Sequence, residues 1–594
     1  MKTLAKKINK TKNWKEELFL LFPVLVMVTF FLFAVRVRLV PTYQADCFWY
    51  SGEEMAGDLY AYFRMEILIA LMVVFGIYMI FCIATKEIKL RKHLVYIPMV
   101  LYVVLVIVSY ACSEYKEVAL YGALERNEGT VTLLCYMGIL FYSMYAIRSE
   151  KSVSFIMKCF SVACCLLGIY GIVELTGHRL EIFPDWMIMP SAYRGSELVL
   201  NSDTKAINWF FSNQNYTSFF MIFPICLFAM SCISAEDKKK KLIYAALTGF
   251  MMFSLWQAAS LGGMVGLAVA VVVAFFVVGF ENIKKWKKSL GLLVLAGIIS
   301  IGASMPVIMR EVQSGAETSL TEDNWEEALH ADLGLRFVKI DHIITDGPEV
   351  IFSFEGEEVT IVLNDEKVEA VVDSEGKPLA KDNELVRTNS YYHEESGYMV
   401  HEIVTANRVW SFVLIDGQSY YISISGQGVQ LDEVESIGFE NNQHFATNRG
   451  YVWSRTLPIL KDTMIYGKGA DTFVRYFPHE DYAGRYNIGY YKDGVNTIFD
   501  KPHNMYLGAA VNTGVVSMVA LIAIYVIYLI ESARIYRKHS FNGFKDYIGM
   551  GIFIAIAGFV VAGIVNDSTV QMMPVVYTFL GMGFAINWML KDEK

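Results

Sequence analysis

Residues 449–503 hold the side chains best able to do chemistry in this sequence. His503 stands in "DKPHNMYLGAAV", directly before an apolar run. A free imidazole titrates near neutral pH, so it can accept or donate a proton. Arg449, Arg455, Arg475 and Arg485 fall within 37 residues of chain, and Lys468 lies among them. Guanidinium groups grip phosphate oxygens in a bidentate fork and keep their charge. Tyr451, Trp453, Tyr466, Phe473, Tyr476 and Phe477 are interleaved with these cations. Such rings stack against sugars and also settle at a lipid–water interface. The sequence has no Gly-x-Ser-x-Gly elbow, His-Glu-x-x-His helix or phosphate loop. Carboxylate groups of the metal-binding "DDxD" kind are missing too, so neither a metal nor a cofactor is expected.

The elements that must position these groups are membrane helices. The 594 residues are 55% apolar and 19% charged, with 39 Phe, 35 Tyr and 28 Met. A soluble chain is nearer 45–50% apolar and about 25% charged. These figures exclude disorder, collagen and coiled coil. The net charge of −9 offers no basic balance for nucleic acid. A bilayer core about 30 Å thick takes about 20 apolar residues per helix. Runs of that kind predict twelve spans, at 16–36, 64–84, 94–112, 131–147, 153–174, 216–234, 241–257, 261–280, 289–308, 504–530, 546–565 and 571–590. The first run is too long for a cleaved signal peptide and lacks a small-residue cleavage site.

Basic connections set the orientation. Lys2 to Lys15, "KEIKLRKH", "RSEK", "KKKK", "KKWKK" and "RIYRKHS" fall on one side, taken as cytoplasmic together with both termini. Residues 41–63, 113–130, 175–215 and 309–503 are then outside the cell membrane. Glu66, Glu174 and Asp567 lie within or beside spans, and the expectation is that they snorkel to an interface. All nine Cys precede residue 233, so the large outer segment is neither a disulfide scaffold nor a Cys-type zinc site. Cys47 and Cys112 lie near the outer face, and the sequence leaves their pairing open.

The outer segment divides by charge. Residues 309–448 have 8 basic and 28 acidic residues, whereas residues 449–503 have 8 and 6. In the first part, "SLTEDNWEEALHADLG" (319–334) reads as a short helix with an acidic first turn. Runs such as "VIFSFEGEEVTIVLND" and "RVWSFVLIDGQSYYISISG" then alternate around Asp-Gly and Glu-Gly turns. They predict antiparallel hairpins and a small β-rich module. In the second part, "WSRTLPILKDTMI" has apolar residues at helical spacing and reads as a short helix along the membrane surface. "YGKGADTF" is a glycine turn, and Pro502 sets up a helix that starts near Asn504. The organisation is therefore helices 1–9 over 1–308, a β-rich insertion over 309–448, a catalytic loop over 449–503 and helices 10–12 over 504–594.

At these residues the chain resembles the O-antigen ligase and polymerase superfamily. The resemblance rests on "NRGYVWSRTLPILKDTMIYGKGADTFVRYFP", then "DKPHNMYLGAAVNTGVVSMVAL". The family pattern has an Arg four residues before a Trp, a short helix and a Gly-x-Gly turn. An aromatic-Pro element and a His-Asn pair opening a helix follow. "FFSNQNYTSFFMIFPICLFAM" is similar to the family's Asn-x-Asn segment, and "NDSTVQMMPVVYTFLGMGFAIN" to its last helices. The likeness covers roughly 210–310 and 449–590, and leaves out 309–448. It implies a GT-C-like polytopic fold and a metal-independent glycosyltransferase of surface polysaccharide biosynthesis. The implied donor is an undecaprenyl-diphosphate-linked glycan. The acceptor is a hydroxyl of a glycan, lipid or protein, and membrane lipids and polysaccharide assembly proteins are the implied partners. By motif position His503 is the essential His and Arg449 the Arg before the Trp. Arg455, Arg475, Lys468, Arg194, Asn504, Trp453 and Asn215 are expected to bind the diphosphate or glycan. In one place the chain departs from the family: where a Ser-Arg-Gly is common, it has Ser260, Leu261 and Gly262.

Two rival readings belong to other classes. A transporter or flippase would show repeats and midplane breaks, and the halves of this chain show no similarity. A receptor would act through the β-rich module and leave "KPHN" unexplained; deleting 309–448 is the test that separates it.

Overall fold

The computed structural model describes residues 17–28, 36–177, 188, 207–209, 211–318, 335–380, 383–406, 408–489, 498–537 and 539–593. The expected helix at 319–334 and Arg194 lie outside the described residues. Eight helices among those described are long and apolar enough to cross a membrane. They are α2 (Tyr62–Ala84), α6 (Glu150–Leu175), α7 (Gln214–Ser234), α9 (Leu261–Val278), α10 (Phe280–Thr318), α15 (Val515–Tyr536), α16 (Phe544–Ala562) and α17 (Met573–Asp592). Three apolar helices are shorter: α1 (Glu17–Val28), α3 (Tyr96–Cys112) and α5 (Thr130–Ala146). A further helix, α8 (Lys238–Gln257), opens on four lysines after an Asp237 cap that accepts from Lys240 N. This architecture is consistent with a membrane protein.

The ends of these helices follow local chemistry. Ser149 caps α6 and Asn213 caps α7, each accepting from a backbone N–H of the first turn. Packing sorts the helices into an inside and an outside. α7, α16 and α17 are largely buried, whereas α2, α9 and α10 present most of their apolar surface outward. One buried cluster joins residues of nearly every one of these helices, with Phe219 and Phe559 stacked at 4.1 Å within it.

Three expectations about the helices need correcting. The run 504–530 is not one span. It divides into α14 (Met505–Thr513) and α15 at Gly514, whose φ is +104°. The basic "KKWKK" is not a connection but lies in the first turns of α10, which follows α9 after Gly279. Glu174 does not snorkel. It is buried at the end of α6 and accepts from Asn208 N and Trp209 N at 3.0 Å. Only Glu66 is exposed as expected.

Among the described residues, nine strands, β3 to β11, lie between Ile340 and Val429. They form a four-stranded antiparallel sheet, β3 (Ile340–Asp346), β4 (Glu349–Phe354), β5 (Glu357–Leu363) and β6 (Val368–Asp373). The second sheet runs from β7 (Arg387–His393) through β8 (Tyr398–Thr405), β9 (Arg408–Ile415) and β10 (Gln418–Ile422) to β11 (Gly428–Val429). Phe352, Trp410 and Phe412 fill the space between them. A separate hairpin, β1 (Arg38–Pro41) with β2 (Met55–Asp58), precedes α2.

The compositional boundary at 448/449 is not a packing boundary. Helix α13 (Tyr482–Asn487) sends Tyr482, Ala483 and Tyr486 into the core of the β-module. Tyr486 lies 5.8 Å from Trp410 and Tyr482 lies 4.5 Å from Tyr421, between ring centres. Asn487 also exchanges two hydrogen bonds with the Ile340 backbone, as a strand neighbour would.

Candidate functional site

His503 sits at the start of α14, and its position is fixed from three directions. Asn504 caps the helix, accepting from Tyr506 N and Leu507 N at 3.0 and 3.1 Å. The residue before it is tied to helix α11 (Phe445–Ile459), where Trp453 Nε1–H donates to the Pro502 carbonyl at 2.8 Å. Met505 N–H donates to Asn566 O at 2.8 Å, joining α14 to the loop that links α16 and α17. His503 itself has φ +52°, a left-handed conformation that costs about 1–2 kcal/mol for a residue with a Cβ. The backbone thus holds strain in order to present this side chain.

That loop supplies the partner. Asp567 Oδ2 lies 2.9 Å from His503 Nδ1. The carboxylate is buried, with its side chain 4% exposed, while the imidazole is 38% exposed. Asp567 is therefore not a charge that snorkels to water, which corrects that expectation. Burial raises its carboxyl, but His503, Lys501 and Arg126 outweigh that and bring it down to about 2. With Nδ1 engaged by a carboxylate, Nε2 is the nitrogen left to exchange a proton with an incoming group.

Two buried cations complete the surroundings, and sequence reasoning passed over both. Lys501 Nζ lies 3.1 Å from Asp500 and 5.7 Å from the ring centre of Tyr216. Burial lowers its ammonium, but Asp500, Tyr216, Asp567 and Glu125 raise it well above the usual lysine value, so it stays charged. Arg126 is buried with Nε 2.9 Å from Asp471 and a second nitrogen 3.6 Å from Glu128. A signal existed in each case: Lys501 is two residues from His503, and "ERNEG" is a charged island between apolar runs.

Arg449 opens the helical part of α11, four residues before Trp453 and so on the same face. Ala446, Thr447 and Asn448 all have φ between +50° and +63°, and Arg449 donates to the Ala446 carbonyl at 2.7 Å. Arg449 thus shares a helix face with Trp453, whose indole bonds the Pro502 carbonyl next to His503. Asn215 lies in the first turn of α7, one residue before the Tyr216 ring that faces Lys501.

The other expected cations are held elsewhere. Arg455 is buried, its Nε donating to Asp481 at 2.8 Å and its guanidinium 4.5 Å from the Tyr451 ring. It lines a cleft of about 80 Å³ with Asp341, Asp432, Glu433 and Glu480, surroundings that repel phosphate. Arg475 is bound to Asp46 and donates to the Tyr43 carbonyl at 2.7 Å. Lys468 lies 3.6 Å from Asp462 and over the Tyr476 ring. None of the three shares a hydrogen bond or ion pair with His503 or Asp567 among the described residues. As a diphosphate-binding set, these three expected residues are not brought together with His503.

The glycine turn has a different task. Lys468 N and Gly469 N donate to Val511 O and Asn512 O, and Val515 N donates to Thr463 O. The segment 463–469 thus supplies partners for the backbone freed where α14 and α15 break. A Cβ on Gly467 would stand 2.3–2.4 Å from the Asn512 and Thr513 backbone, so only glycine fits. Gly262, at the departure from the family pattern, is equally close: a Cβ there would lie 2.3 Å from Asn566 Nδ2. Leu261 beside it is 74% exposed.

Groups of three or more His, Cys, Asp or Glu arranged to hold a metal are absent among the described residues. Comparison with protein-family models, curated proteins and solved structures finds no match for this chain.

Proposed function

We propose that this protein is an extracytoplasmic glycosyltransferase of the O-antigen ligase and polymerase kind. It moves a glycan from an undecaprenyl diphosphate to an acceptor hydroxyl. In this reading the eight long helices, the three shorter apolar ones and α8 are the twelve spans of a GT-C-like bundle. Both ends are cytoplasmic and the β-module is outside the cell membrane.

One observation carries the reading: a half-buried imidazole, presented by a strained residue, is paired through Nδ1 with a buried carboxylate. This is the arrangement of an oriented general base. His503 Nε2 takes the proton of the acceptor hydroxyl as its oxygen attacks the anomeric carbon. The new carbon–oxygen bond forms as the bond to the diphosphate breaks, and that electron pair leaves on the diphosphate oxygen. Attack opposite the leaving group inverts the anomeric centre. Asp567 holds the imidazole and stabilises its charge once protonated. In this reading Arg449 and Lys501 offset the negative charge on the leaving diphosphate. Lys501 takes the part the family gives to the Arg that Leu261 replaces here.

The test is transfer from a purified polyprenyl-diphosphate-linked glycan, with His503→Ala beside the parent chain. Loss of transfer at unchanged protein level is expected; full activity in the variant refutes the assignment. A ladder of products identifies a polymerase, and a single addition to another acceptor identifies a ligase.

A further inference from the structure

Beneath the His503–Asp567 pair lies a second buried network that this reaction does not use directly. Ser568, the residue after Asp567, donates its hydroxyl to Glu128 Oε2 at 2.5 Å. Tyr136 on α5 donates to the other carboxyl oxygen at 2.7 Å. Arg126 approaches the same carboxyl at 3.6 Å and joins it to Asp471, whose Oδ2 accepts from Ala123 N and Glu128 N. Glu128 is 3% exposed. It borders a small cavity of about 40 Å³, also lined by Asp471, Asn512 and Ser568. Asn512 Oδ1 has no hydrogen-bond partner among the described residues.

The loop that carries Asp567 is tied to Met505 N through Asn566 O and to Ser212 through the Gln571 side chain, and two more bonds join it to this network. Val570 N donates to Arg126 O at 3.2 Å and Gln571 Nε2 to Glu125 O at 2.7 Å. Those two bonds, like that of Ser568, end in the same short stretch, 125–128. The setting of Asp567 therefore depends on how that stretch is held, and Glu128 is its one side chain bonded to the loop by a hydroxyl.

We infer that Glu128 is a positioning residue, acting through Ser568 on the Asp567 that faces His503. The inference rests on the transferase reading above. Burial pushes the Glu128 carboxyl up, against Arg126 and the bonds from Ser568 and Tyr136, to about 7. The groups facing it are Arg126 from its own loop, Asp471 after the glycine turn, Ser568 from the α16–α17 loop and Tyr136 from α5. Tyr102 of α3, Tyr525 of α15 and Tyr577 of α17 complete the ring. A carboxyl that changes charge near neutrality pulls on Ser568 more strongly when ionised, because charge-assisted hydrogen bonds are the stronger kind. The brace on Asp567 then tightens as pH rises through neutrality.

The experiment uses the full chain in lipid nanodiscs with a polyprenyl-diphosphate-linked glycan as donor. Parent, Glu128→Gln, Ser568→Ala, their double variant and His503→Ala are compared on both sides of neutrality. Each single brace variant should keep the donor KM and lose kcat by about 10- to 100-fold, the usual cost of losing an outer partner of a functional His. The double variant should lose no more than the larger single loss, since both break one link. The rise of kcat through neutrality should flatten in Glu128→Gln. Losses that multiply, or an unchanged pH profile in Glu128→Gln, overturn the brace. Should Glu128→Gln fail to fold, Ser568→Ala decides by the same readings. An inactive His503→Ala beside a fully active Glu128→Gln rejects the brace alone, and a fully active His503→Ala rejects both readings.

Discussion

Asp567→Asn isolates the charge at the centre of this site. The amide keeps an acceptor for His503 Nδ1–H but removes the negative charge that His503, Lys501 and Arg126 all face. The folded protein holds this carboxyl at about 2, against an ordinary 3.8. That difference corresponds to about 2 kcal/mol of stability, undiscounted because the group is buried. The sign follows from the direction. A lowered carboxyl stabilises the fold fully above its ordinary value and loses that contribution as pH falls toward 2. Asp567→Asn should therefore be less stable than the parent by about 2 kcal/mol near neutral pH, and the gap should close in strong acid. Denaturant unfolding in detergent, followed by tryptophan fluorescence at several pH values, measures it. Transfer should fall further than stability, by about 10⁴-fold if orientation of the imidazole matters as it does in hydrolytic triads. A stability gap that is the same in acid and at neutral pH refutes the electrostatic reasoning. Normal transfer in the variant refutes the pairing as a working dyad.

Gly467→Ala places a methyl group 2.3–2.4 Å from the Asn512 and Thr513 backbone. It should destabilise the α14–α15 junction by about 1–3 kcal/mol, as overpacking does, with thermal unfolding as the measurement. Leu261→Arg adds a cation at a site 74% exposed and beside Gly262, so it should fold normally and lower the KM for donor. An unchanged KM there separates this helix start from the diphosphate. For Glu128, whose carboxyl is raised to about 7, the fold loses stability as pH rises from its ordinary 4.5 to that value. Glu128→Gln should remove this fall, which unfolding curves across that range will read.

What could be read from the linear chain depended on how local each feature is. Long apolar helices such as α7 and α16 need only a run of residues near bilayer length, and both are evident in the sequence. The hairpins of 340–422 declare themselves through alternation and Gly turns, as at Asp416–Gly417 between β9 and β10. The break at Gly514 was hidden, because only Asn512 and Thr513 interrupt the apolar run around it and the freed backbone at Val515 is completed by Thr463 from another segment. His503 stood out because it adjoins such a run. Its partner did not, since Asp567 is 64 residues away and a carboxylate at a helix end has the same sequence signature whether it is solvated or buried. Arg455 and Arg475 misled for the same reason: nothing nearby in sequence reveals that Asp481 and Asp46 hold them.

The shared core of α13 and the β-module changes what a shortened chain can teach. Excising 309–448 would leave Tyr482 and Tyr486, now 5% and 2% exposed, without the rings they lie against. Asn487 would lose Ile340, and the cleft that holds Arg455 would lose one wall. An inactive truncated protein would then report a collapsed scaffold and say nothing about ligand recognition. Point substitutions on the outward face of β7 or β8 leave that scaffold intact and are the informative way to probe the module. In engineering terms the acidic module is a buttress with a shared wall, and any chimera must carry residues 335–489 as one block.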